Sequence, residues 1–545
     1  MVLRTTRRGQ RARVQRPGRA RRPGRRTRRR PQGAAVIESW AALVGVVAVV
    51  VATLGIGGWG VRFSRTTSDF MVASRTVRPA LNASAIGGEY LSAASFLGVA
   101  GLVLVFGADM LWYPVGWTAG YLVLLVLVAA PLRRSGAYTL PDFAEARLES
   151  RRVRAVCSLL VVAIGWLYLL PQFHGAGLIL RAAVGAPAWV GTAVVALVVV
   201  ANVVGGGMRS ITFVQAFQYW LKLTALLVPA AVLLVVWVGD GAVNPADVGP
   251  IAGSTANAVE WSQPIGAGAQ GLYVTYSVIA ATFLGTMGLP HVVVRFYTNP
   301  DGRGARRTTL VVLALLAAFY LLPPIYGGLG RVYADRLSTP LQTDSLLLEL
   351  PRVMLPGWGG EVLTGLLAAG AFAAFLSTAS GLTIAVAGVL GQDVTRRRFG
   401  RTRLSGIAAF RVGAVLAVLV PALVALVGVD VSVARMVGLA FAVAASTFCP
   451  LLVLGIWWQG LTARGALAGL AVGGVASGTG VVWTLVVAQT ETWWSVLLGS
   501  PAAWSVPAAF ATMVLVSRFG GGRRSPARRF MVRLHTPEDV RLDRG

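Results

Sequence analysis

The chain is 545 residues long, 55% hydrophobic and only 13% charged, against roughly 25% charged for an ordinary soluble domain. That balance argues against a water-soluble enzyme, because about 300 apolar residues match what about thirteen transmembrane helices of about 22 residues consume. The net charge of +29 does not point to nucleic acid, since it sits in an N-terminal stretch and in short loops between apolar runs.

In chain order, residues 1–30 carry fourteen Arg and no acid, and residues 1–33 read as an Arg-rich disordered tail. Apolar runs of spanning length follow at 36–61, 82–106, 111–131, 153–181, 187–205, 210–238, 267–290, 307–330, 361–391, 406–428, 432–456, 462–488 and 502–517. The prediction is therefore an all-α polytopic membrane protein with thirteen helices, one membrane domain over 34–518, and a basic tail over 519–545 that is expected to be disordered.

Loop charge predicts the orientation. Arg62, Arg65, Arg75 and Arg78, then Arg133, Arg134, Arg151 and Arg152, then Arg303, Arg306 and Arg307, then Arg396, Arg397, Arg398, Arg401 and Arg403 fill the odd-numbered loops, which should face the cytoplasm. The loop at 239–266 holds Asp240, Asp247 and Glu260 with no basic residue and should lie outside. The carboxy terminus, with Arg523, Arg524, Arg528 and Arg529, is then cytoplasmic. The same parity puts the Arg-rich amino terminus outside, against the rule, so the expectation is that translation begins downstream of it.

Two spans are interrupted by small residues at corresponding places, one at Gly87-Gly88-Glu89-Tyr90-Leu91-Ser92 and on to Gly98, the other at Gly285-Thr286-Met287-Gly288-Leu289-Pro290-His291. They lie five spans apart. Matched breaks of this kind are the sequence pointer to an inverted-repeat transporter of two five-helix halves, here about 82–238 and 267–456. Free backbone groups survive in hydrocarbon only where they line a cavity or bind something. The alternative is that these glycines only let helices close on one another.

The ninth span carries Ser377 and Thr378 among small residues from Gly370 to Gly381. Their hydroxyls, with carbonyls of an unwound segment, would suit a monovalent cation; the alternative is that each bonds its own i−4 carbonyl. Cys157 and Cys449 lie in apolar runs, and three widely spaced His form no metal-ligand pattern.

At this point the residues resemble a family. Ser68-Asp69-Phe70 through Ala73-Ser74-Arg75, the Gly88-to-Gly98 segment, Tyr138-Thr139-Leu140-Pro141-Asp142, Gly175-Ala176-Gly177, Gly205-Gly206-Gly207-Met208, and Gly288-Leu289-Pro290-His291 with Arg295-Phe296-Tyr297 are similar to the sodium:solute symporter family, most closely its acetate and short monocarboxylate permeases. The resemblance runs from about residue 36 to about 485 and implies a LeuT-like five-plus-five core within thirteen helices. It implies sodium ligands at the carbonyls of Gly88, Leu91 and Ala374 and the hydroxyls of Ser377 and Thr378. It departs from the sugar and proline members at Gln215, where they carry an acid.

An anionic solute suits half-helix amino termini. Gly87, Gly88 and Ser95 on one side, and Thr282, Thr286 and Gly288 on the other, are the candidate lining, with Trp117 as a wall or a packing residue. His291 has a claim through the resemblance. His174, close to Gln172, reads as a packing residue, Lys222 as a charge partner or a snorkelling side chain, and Gly465, Gly469 and Gly473 as a helix-packing face. The expectation is a secondary transporter in the cell membrane that takes up a small organic anion such as acetate, propionate or pyruvate with sodium as coupling ion, and uses no organic cofactor. Another small solute, proton coupling, or a non-transporting membrane sensor are the rival readings. Oligomeric state is not legible.

Overall fold

The computed structural model describes residues 39–64, 69–70, 73, 76–249, 258–333, 343–395, 406–427, 431–487, 492–520 and 528–538. The Arg-rich tail over 1–33 lies outside them, as do Arg65, Ser68, Ser74, Arg75, Arg396, Arg397, Arg398, Arg401, Arg403, Arg523 and Arg524.

The described chain is almost entirely helical. Among the described residues, eleven helices are long and apolar enough to cross a membrane, and the pair Pro79–Tyr90 and Ala94–Phe106, bent by 71°, makes a further broken span. One of the eleven, Ala188–Gly239, has 52 residues, about 78 Å at 1.5 Å per residue and more than twice the ~30 Å hydrocarbon thickness. It leaves helical geometry at Gly207 (φ 56°, ψ −155°), so it accounts for both predicted runs, 187–205 and 210–238. Each of the thirteen predicted runs thus has its helix.

The elements that matter below are α1 (Trp40–Val61), α2 (Pro79–Tyr90), α3 (Val99–Phe106), α4 (Trp112–Val123), α5 (Arg151–Val184), α6 (Ala188–Gly239), α7 (Gly268–Gly288), α8 (Pro290–Phe296), α9 (Gly302–Tyr320), α10 (Trp358–Val389), α11 (Val433–Trp457), α12 (Ala463–Val486), α13 (Ala502–Phe519) and α14 (Arg528–His535). In the most apolar windows of α10 and α11, 89% of residues are buried, against 33% in α1 and 28% in α13. The first two run through the middle of the protein, and the last two lie at its periphery.

Small residues explain the central position of α10. A Cβ on Gly370 would lie 2.5 Å from the Cβ of Ala225, and one on Gly381 would lie 2.1 Å from the Glu89 carboxyl, so neighbours close on this helix to backbone distance. Gly465, Gly469 and Gly473 do the same for α12, where a Cβ would strike Ser517, Met513 and the Ser446 carbonyl.

Several of the family-like motifs turn out to be local architecture. Thr139 and Asp142 form a reciprocal capping box at the start of Leu140–Leu148, which satisfies two orphan N–H groups. Asp69 pairs with Arg209 at 2.8 Å. Beside that pair, Gly207 holds a left-handed φ with Phe70 Cα 2.7 Å from where a Cβ would stand, a position only glycine fills without strain.

The expected disorder of the 519–545 tail needs correction over part of its length. Arg528–His535 is helical, with Met531 and Leu534 buried, because an i, i+3 apolar pair gives even this basic segment a face to bury. His535 reaches the Ile456 carbonyl at 2.9 Å, and Arg134 approaches Glu538 at 3.4 Å. The tail helix therefore sits at the same end of the protein as Arg134 and the loop at Asn299 and Pro300, whose carbonyls accept from Arg133.

Candidate functional site

Pro79 at the first position of α2, with its φ already helical, starts the helix, and Leu91 ends it. Leu91 N–H still reaches Gly87 O at 3.1 Å, but Leu91 itself has φ −73° and ψ 86°, so the chain leaves the helix there. It resumes as a single π-type turn over Ala94–Gly98 before α3. The last carbonyls of α2 are thereby left without helical partners, at the end of the half-helix where the dipole favours a cation.

That cation is supplied by the protein. Lys222, the sole lysine of the chain, is fully buried on α6, and its ammonium donates to Gly88 O, to Leu91 O at 2.7 Å and to Ser377 Oγ at 3.0 Å. Three of the five expected sodium ligands thus converge on one point, and Lys222 Nζ occupies it. Of the other two, Ala374 O accepts from Ser377 Oγ at 3.1 Å, and Thr378 Oγ1 donates to Glu89 O at 2.6 Å. Thr378 ties α10 to the broken helix instead of meeting the ammonium. The snorkelling read from sequence for Lys222 does not occur, because its head points inward to oxygens that need a donor.

A second charged group adjoins the first. Arg295 of α8 pairs with Glu89 at 2.5 Å, both buried, and also donates to Thr212 Oγ1 at 3.0 Å and to Gln215 Oε1. Gln215 Nε2 passes the connection on to Ser377 O at 2.8 Å. The side chain that replaces the acid of other family branches therefore bridges Arg295 to α10. Buried charges persist in hydrocarbon when paired in this way.

The candidate solute lining is buried and only partly drawn together. Ser95 Oγ meets Tyr320 Oη at 2.8 Å. Thr286 Oγ1 meets Tyr90 Oη at 2.7 Å, and Tyr90 Oη also reaches Trp117 O at 3.2 Å. Trp117 stacks near Tyr113, Tyr320 and Phe441, and Phe441 continues through Tyr168 to His291. Within this aromatic group, Trp117 Nε1, Tyr121 Oη and both ring nitrogens of His291 have no hydrogen-bond partner in the protein. Buried polar atoms of that kind ask for a ligand or water.

Other members of the lining have structural work. Thr282 donates to its own i−4 carbonyl, Val278 O, at 2.7 Å, the local bond that sequence reading offered as the alternative for Ser377 and Thr378 and that neither of those two makes. Gly87, Gly88 and Gly288 are helical, and a Cβ on them would meet the Tyr219 ring at 2.8 Å, Gln215 O at 2.1 Å and Ala444 O at 2.3 Å. They are small so that α2 and α7 can press on α6 and α11; the breaks themselves fall at Leu91 and at Leu289, which has φ −71° and ψ 121°. Gln172, noted in the sequence only as a neighbour of His174, accepts from Ala93 N–H at 3.2 Å and so caps the restart of the broken helix. His174 itself is half-buried on α5.

Sequence reasoning missed the roles of Lys222, Gln172 and the Glu89–Arg295 pair. A signal existed for the charged ones, since an ionisable residue inside a span is costly and marks a site by default.

Comparisons with known proteins bear on the family and the fold. Residues 70–473 match the sodium:solute symporter family. The chain is 30% identical over 463 residues, 84% of its length and 86% of the relative's, to the uncharacterized symporter YwcA of Bacillus subtilis (strain 168). Among solved structures, a Na+-coupled sialic acid symporter in a substrate-bound outward-open state superposes with a TM-score of 0.69 at 14% identity, covering 89% of this chain and 98% of that one. Mhp1, a nucleobase-cation-symport-1 family transporter, superposes with a TM-score of 0.50 at 14% identity, covering 82% and 94%. The inverted-repeat fold is shared with these transporters, and the chain belongs to the sodium:solute symporter family.

Proposed function

We propose that the protein is a secondary active transporter of the cell membrane that carries a small monocarboxylate, such as acetate, propionate or pyruvate, into the cell together with sodium. Family membership supports cation-coupled symport of a small solute. The observation that carries the solute class is the company of the broken helix: two buried basic side chains, Lys222 and Arg295, stand against one buried carboxylate, Glu89. An excess of positive charge in low dielectric favours an anion beside it. The unpartnered Trp117 Nε1, Tyr121 Oη and His291 nitrogens supply polar contacts within an aromatic surround, which suits a small acid with an apolar tail.

In this reading the solute sits between the two broken helices near the midplane, and one helical bundle rocks against the other around it. The test is uptake of labelled acetate, propionate, pyruvate, proline and glucose into proteoliposomes, with and without an inward sodium gradient. Accumulation of the acids alone, above their passive leak and enhanced by the gradient, is the expected result. Preference for proline or glucose would overturn the monocarboxylate assignment, and no accumulation of any solute would overturn the transporter reading for this panel.

A further inference from the structure

Lys222 places its side-chain amino group among the oxygens that the resemblance assigns to a free cation. Its Nζ takes Gly88 O, Leu91 O at 2.7 Å and Ser377 Oγ at 3.0 Å, a carbonyl-rich set drawn from two different helices. An alkali ion at the same point needs the same lone pairs. Two positive charges sharing them would repel strongly where water does not screen. The one nearby carboxylate, Glu89, is shared with Arg295, so its single negative charge cannot balance Arg295, an ammonium and a sodium ion together. Neither α1 nor the facing stretch of α10 brings another acid, since α1 has none and α10 has only Glu361 in its first turn.

The flexible four-carbon stem of lysine allows its head to withdraw. We propose that the ammonium of Lys222 and the coupling sodium are alternative occupants of this one seat, so that sodium enters only when Lys222 leaves. Lys222 is then a tethered competitor that sets how much sodium the transporter needs, and it holds the unwound segment to α10 while sodium is absent. The proposal rests on the symport reading for the identity of the ion and on the family resemblance for the oxygens that would hold it.

The test contains no solute, so it is independent of the uptake assay. The full chain, purified in detergent, is unfolded thermally across a sodium chloride series balanced with choline chloride; a bound ion raises the unfolding temperature by mass action. Removing the competitor in Lys222→Ala and Lys222→Gln is expected to lower the half-saturating sodium concentration by roughly tenfold or more. In Lys222→Arg, where a bulkier cation stays, it should rise. A sodium response confined to the Ala and Gln variants supports the proposal, as does a wild-type response shifted to higher concentration. Half-saturation in those variants equal to or higher than wild type, or no sodium response in any protein, overturns it.

Should the variants not accumulate as folded protein, cryo-electron microscopy of the wild type decides. Lys222 Nζ should lie on Gly88 O and Leu91 O in choline and away from them in saturating sodium. A map with Nζ still on those carbonyls in saturating sodium overturns the proposal.

Discussion

The two broken helices carry the same sequence signal and resolve it differently. Both spans hold closely spaced glycines, and both glycine positions serve close helix contact. At Leu91 the chain leaves the helix and travels through Ser92 before a π-type turn, which strands carbonyls that an ammonium must satisfy. At Leu289 the chain turns for one residue and restarts at Pro290. Proline there lacks the N–H that would be orphaned and has its φ preset, and Val293 N–H bonds back to Leu289 O at 3.1 Å. One break is long, polar and held by charge; the other is short and closed by covalent geometry. A break in a span therefore announces a site only where its freed groups find no local partner.

The contrast is sharpest under substitution of the charged pair. Glu89→Ala should be the most damaging change, because it leaves Arg295 buried without its partner. About 3–5 kcal/mol is the typical cost of breaking a buried ion pair from one side, and the expected outcome is a sharp loss of monodisperse protein by size-exclusion chromatography. A variant that stays folded with an unfolding temperature near wild type would show that the first break does not depend on charge.

Next come the glycines. Gly88→Val and Gly288→Val each drive side-chain atoms into a carbonyl of the facing helix, at Gln215 and Ala444, and overpacking of this kind costs about 1–3 kcal/mol. Both should lower the unfolding temperature and abolish uptake. Gly88→Val should in addition alter sodium dependence in whatever protein survives, whereas Gly288→Val should not. Equal effects on sodium half-saturation would erase the distinction between the breaks.

Smaller effects separate the two hydroxyls of α10. Ser377→Ala removes an acceptor from Lys222, while Thr378→Val removes the donor to Glu89 O. Each should cost about 0.5–1.5 kcal/mol of stability. Sodium half-saturation should move with Ser377→Ala and much less with Thr378→Val, as read by thermal unfolding in sodium against choline. The reverse order would place Thr378 in the ion seat after all.

The smallest change is expected at the second break. Thr286→Val keeps the shape and leaves Tyr90 Oη its bond to Trp117 O, so stability should fall by less than about 1 kcal/mol. Any loss should appear in the apparent constant for the solute, with sodium dependence unchanged; a changed sodium half-saturation would join the two breaks into one site.

The sequence by itself determined the class of protein and its spans. Hydrocarbon requires long unbroken stretches of apolar residues, and that requirement is written residue by residue, which is why each of the thirteen runs, even the two fused across Gly207, has its helix. Family motifs were equally legible. What they do was not, because a capping box at Thr139 and Asp142 and a close approach at Gly88 become distinguishable from a binding site only when the facing atoms are known. The proposed ion seat shows the limit most plainly. Gly88, Leu91 and Ser377 could be named from the family resemblance, but Lys222 is 131 residues away from Leu91, and no spacing rule relates them. Tertiary packing alone decided that its ammonium ends on those carbonyls, since only the folded bundle brings the stranded end of α2 opposite a buried donor.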